Sequence, residues 1–107
     1  MSHVDNWILI LSCSEGQSHV TQLNTLLKKA DPAREQYFRP VNDDDWGGSK
    51  FPEVDVYVMA CNHFRYTSVL KCIDQVEWND PEDSRVVCNT QSSGWIIASL
   101  DELPTKQ

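Results

Sequence analysis

The chain has 107 residues, 40% of them apolar and 23% charged. That is enough for a single domain over residues 1–107 with a core of its own, and too apolar for intrinsic disorder. Nine Lys and Arg against 16 Asp and Glu leave a net charge of −7, which argues against phosphate-led binding to nucleic acid or an anionic membrane and permits a cationic protein partner or a bound divalent metal.

Trp7 to Cys13 is a continuous apolar run rich in branched residues, and it predicts a central strand buried on both faces. The run is too short to span a bilayer, and Asp5 stands where a secretory signal carries a base. The expectation is a cytoplasmic protein. A turn over 14–18 follows, with Ser18 as the N-cap of a helix. Val20, Leu23, Leu26, Leu27 and Ala30 recur at helical spacing, Lys28 and Lys29 suit its last turn, and Asp31-Pro32 ends it.

Gln36 to Val41 predicts a weaker strand, placed at a sheet edge because Pro40 cannot donate to a ladder. A polar loop over 42–52 leads to a strong strand from Val54 to Cys61. Tyr66, Val69, Leu70, Ile73 and Val76 form the stripe of a second helix. Residues 77–84 are a loop, Arg85 to Asn89 a strand, Thr90 to Gly94 a turn and Trp95 to Leu100 a final strand. Residues after Asp101 form a short tail.

The order β-α-β-β-α-β-β has too few alternations for a doubly wound sheet. The economical solution is an α+β, ferredoxin-like split β-α-β arrangement: an antiparallel sheet with two helices on one face. The last strand, Trp95-Ile96-Ile97-Ala98, is apolar and free of charge. At an edge it needs covering by the tail, or it leaves a homodimer through the edge strand open.

This topology gathers residues 14–18, 42–53 and 77–84 at one end. They bring Glu15 and Glu53 together with Asp43, Asp44, Asp45, Trp46, Glu77, Trp78, Asp80, Glu82 and Asp83. The last nine are the candidate partner-binding residues, since Trp beside charge on a loop is typical of binding hot spots and an acidic rim steers a basic partner. The opposite end receives Lys28, Lys29, Arg34, His63 and Arg65. The competing readings are a solvated rim, with Trp78 folded back onto the core.

Catalytic patterns are sparse. Cys13, Cys61, Cys72 and Cys88 form no C-x-x-C pair and read as reduced core residues. Cys61-Asn62-His63 is the most nucleophile-like cluster, but buried structural thiols are commoner. Asp43 and Asp45 lack the spacing and distal Glu of a calcium loop. His3 and His19 read as surface residues, and Ser92-Ser93-Gly94 as hairpin-turn chemistry. No catalytic residue, metal or cofactor is expected. An RNA-binding sheet is disfavoured: Trp7 and Tyr57 are the aromatics counted on the central strands, and they lack basic neighbours.

Through Asn62-His63-Phe64, Val76-Glu77-Trp78, Asp80-Pro81-Glu82, Val86-Val87 and Trp95, the second half of the chain, residues 54–100, resembles small bacterial immunity proteins that neutralise polymorphic toxins. The resemblance implies a stoichiometric inhibitor, often acidic, that caps the active or substrate-binding surface of a cognate toxin. Many such toxins are nucleases with basic clefts. The expected function is therefore a non-enzymatic acidic protein-binding module whose partner is a basic toxin or nuclease. The alternatives are a phage-type nucleic-acid mimic that inhibits a host enzyme, a small enzyme using Cys61 and His63, and a small-molecule sensor domain.

Overall fold

The computed structural model describes residues 4–12, 15, 17–33, 35–41, 54–62, 66–90 and 94–104. The elements follow in the expected order: β1 (Val4–Ser12), α1 (Gln17–Ala30), β2 (Arg39–Pro40), β3 (Val54–Asn62), α2 (Tyr66–Gln75), a 3-10 turn over Pro81–Asp83, β4 (Arg85–Thr90) and β5 (Gly94–Ser99). The strands form one sheet in the order β2-β3-β1-β4-β5, and every neighbouring pair is antiparallel. The molecule is α+β, with two helices and a five-stranded antiparallel sheet.

The core lies between the sheet and the helices. Along β1, Trp7, Leu9 and Leu11 are buried, whereas Ile8 and Ile10 are half-buried. The run is central, as its composition predicts, but it is not buried on both faces: among the described residues, two helices cover one side of a five-stranded sheet and none covers the other. Val20, Leu23 and Leu27 of α1 meet Val69, Leu70 and Ile73 of α2 over that inner face. Full burial of a Leu stabilises by about 2 kcal/mol, and Leu23→Ala would cost about 3 kcal/mol once the cavity is included. Ser18 lies inside α1, which begins at Gln17, and is not its N-cap.

β2 is an edge strand, as Pro40 requires, but only Arg39 and Pro40 pair with β3. Asn24 of α1 holds the approach to it: its Nδ2 donates to the Phe38 carbonyl (3.1 Å), and the Phe38 N–H donates to its Oδ1 (2.8 Å). Phe38 is thereby set into the core at 2% exposure. After β5 the chain is not a free tail, because Leu100 and Leu103 are buried in the same core. The Leu100 N–H donates to the carbonyls of Pro81 (3.1 Å) and Ser84 (3.2 Å) and ties the end of β5 to the 3-10 turn.

Candidate functional site

The end of the molecule where β1 stops and β4 starts is organised by Glu15. Its side chain is fully buried, and its carboxylate accepts the backbone N–H groups of Asn79 (2.9 Å) and Asp80. The same carboxylate lies 2.8 Å from Nδ1 of His19, one turn into α1. Burial pushes the Glu15 carboxyl up, but the hydrogen bonds from Asp80, Asn79 and His19 outweigh it and hold the group below its ordinary 4.5. Glu15 is thus an internal cap for the 77–80 segment and not a member of a solvated rim. His19 is half-buried, where the sequence suggests a surface residue.

Trp78 takes the folded-back position. It is half-buried against the core, and its indole N–H donates to the Ile73 carbonyl (2.9 Å) at the end of α2. The His19 ring meets it edge-on, with centroids 5.9 Å apart and planes at 78°. One short turn follows. Ser84, fully buried, donates from Oγ to the Asp80 carbonyl (3.1 Å) and accepts the Ser12 N–H (3.2 Å).

On this frame stand the acids. Glu77, Glu82 and Asp83 are exposed and Asp80 is half-buried. Asp80, Glu82 and Asp83 bring one carboxylate oxygen each within 4.8 Å of one another. Arg85 beside them donates to the backbone carbonyls of Glu82 (2.7 Å) and Ser84 (3.0 Å). The structure therefore brings together five of the nine candidate residues, Glu77, Trp78, Asp80, Glu82 and Asp83, on one hydrogen-bonded segment. Asp43, Asp44, Asp45 and Trp46 lie outside the described residues.

The thiols are placed for packing. Cys61, Cys72 and Cys88 are buried. Burial pushes the Cys72 thiol up; burial, with Asp5 and Cys61 nearby, pushes Cys88 up to about 12. Cys61 pairs with Asp5, far along β1 from Ser12, which separates it from the segment bearing Cys13. Cys13 and His63 lie outside the described residues.

The open face of the sheet was not legible as a surface in its own right. Trp7 and Tyr57 are on the covered side, at 1% and 7% exposure, so neither is an open-face aromatic. Trp95 is, at 68% exposure, and Ile97 beside it on β5 is 70% exposed. Register lines Ile97, Val87, Ile8, Val58 and Arg39 across all five strands, with Trp95, Asn89, Asn6 and Ala60 in the adjoining row. At the β2 edge these rows run into a hollow of about 520 Å³ bordered by Ile8, Val58, Ala60, Tyr37 and Arg39. A second hollow, about 580 Å³, lies between Thr21, Thr25, Lys28 and Lys29 of α1 and the segment through Tyr37. Two helices for one sheet, too few to cover both faces, were the sequence signal for an open surface; the run Trp95-Ile96-Ile97-Ala98 is apolar throughout and has no alternation that would tell its two faces apart.

No protein-family model, curated protein or solved structure matches the chain. Among the described residues no helix is long and apolar enough to cross a membrane.

Proposed function

We propose that this chain is a non-enzymatic, acidic protein-binding module that engages a basic partner through the end formed by residues 77–83. The observation that carries this reading is the convergence of Asp80, Glu82 and Asp83 within 4.8 Å on a segment fixed by Glu15 and Ser84. A backbone already fixed by hydrogen bonds needs less ordering on binding, and the shared field of the three carboxylates raises the on-rate of a cationic partner. The buried Cys61, Cys72 and Cys88 support a non-catalytic reading, since a nucleophilic thiol needs access and a depressed pKa.

In its most specific form the module is a cytoplasmic immunity-type inhibitor that caps a basic toxin or nuclease, a form that rests on the resemblance over residues 54–100. The accompanying architecture is a ferredoxin-like split β-α-β unit, β4-β1-β3-β2, widened by β5. The antiparallel register of every strand pair supports it.

Affinity capture from lysate of the source cells at low and high salt tests the reading. The wild-type chain is expected to retain one basic protein stoichiometrically, more weakly at high salt. The double variant Glu82→Lys/Asp83→Lys, with unchanged melting temperature, is expected to lose it. Equal retention by the variant would exclude this end as the interface.

A further inference from the structure

We propose that the open sheet face associates with the same face of a second copy of this chain, across a twofold axis running along β1. The sheet is β2-β3-β1-β4-β5, so β1 is its midline, with two strands on either side. The two edges are complementary. On β5, Trp95 and Ile97 project as the most exposed large apolar side chains among the described residues, at 68% and 70%. On the β2 side lies the hollow of about 520 Å³ bordered by Val58, Ala60, Tyr37 and Arg39.

Knob and hollow occupy the same rows. Ile97 shares its row with Val58 and Arg39, and Trp95 shares its row with Ala60. A twofold along β1 keeps each residue at its height along the strands and exchanges the edges. It lays the β5 of one protomer over the β2 side of its partner and sets Trp95 against Ala60 and Tyr37. The same operation repeats the contact on the other side, so the interface is isologous and closes at two copies. Strand directions remain aligned, within the roughly 30° that packed twisted sheets adopt.

Charge points the same way. The chain carries −7, yet the described strand positions on this open face carry no Asp or Glu; their charged residues are Arg39 and Arg85, and Glu35 borders the hollow. Strands free of carboxylate on this face let two copies of an acidic chain meet, with Glu35 at the rim of the hollow near Arg39 as the acid to accommodate.

Sedimentation equilibrium of the isolated 107-residue chain over a concentration series tests this. The wild type is expected to be a dimer that tightens with salt, because screening relieves repulsion between two acidic protomers. Trp95→Glu and Ala60→Glu, both at exposed positions on opposite edges, should each raise the dimer dissociation constant roughly 100-fold with far-UV circular dichroism unchanged. Mixing the two variants restores one intact knob-and-hollow contact and should recover part of the dimer. A wild-type monomer at all concentrations would overturn the proposal. So would a dimer that Ala60→Glu leaves intact, which is the signature of pairing through the β5 edge. Neither position lies at residues 77–83, so failure here leaves the acidic-end reading standing.

Discussion

The carboxylate of Glu15 accepts the backbone N–H of Asp80, a residue 65 positions further along the chain. This bond joins the end of the first strand to the segment that presents the acids, and Asn79 and His19 complete the coordination of the same carboxylate. The acidic end is held by an acid that solvent does not reach.

Glu15→Ala leaves two backbone donors unpaired and is expected to cost about 2 kcal/mol, read as a lowered urea midpoint. The pH dependence has a definite sign. A carboxylate whose folded pKa lies below its ordinary 4.5 stabilises the fold above that value and loses the contribution as pH falls through the folded pKa. The wild type should lose stability below about pH 4.5, and Glu15→Gln should lose less over the same interval. Parallel curves for the two proteins would remove Glu15 from the acid transition.

The thiols make a second prediction. With burial raising Cys72 and pushing Cys88 up to about 12, the folded protein should leave both unmodified by iodoacetamide at about pH 8 over minutes, and urea should expose them. Mass mapping of the alkylated chain checks this. Fast modification of Cys61 in the folded protein would count against the non-enzymatic reading.

Trp78 serves the fold directly, so its variants separate folding from binding. Trp78→Phe keeps a ring near His19 but removes the indole donor to the Ile73 carbonyl, which retains the Val76 N–H (3.2 Å). The expected loss is about 1 kcal/mol in thermal or urea unfolding. Partner affinity that drops well beyond this would place the exposed part of the indole in the interface.

Gly94 opens β5 with φ of +68°, in the left-handed region, and nothing lies within 4 Å of where a Cβ would stand. Gly94→Ala therefore meets backbone strain without a clash, and should cost about 1 kcal/mol. Gly94→Asn should cost less, because Asn tolerates this conformation better. Equal losses for the two, measured by urea unfolding, would point to another cause.

Much of the architecture was legible in local patterns. Spacing of Val20, Leu23 and Leu27 identified one helix and of Val69, Leu70 and Ile73 the other, because helical period and burial coincide there. Pro40 marked an edge, since a missing N–H is a local fact. Burial of Leu103 was not legible, because a short apolar residue beyond the last strand has no period to betray it. The site was legible in part: chain topology gathers Glu77, Asp80, Glu82 and Asp83 at one end, but not the conversion of Glu15 and His19 into its internal support.

Sequence alone determined the element order, the apolar stripes and the excess of negative charge, all properties of near neighbours or of sums. Only the tertiary structure decided which carboxylate is buried, which tryptophan faces water and which sheet face has no helix over it. Those depend on distances between segments far apart in the chain. Glu15 and Asp80 meet through packing, and Trp7 and Trp95 differ in exposure, 1% against 68%, because only one side of the sheet is covered.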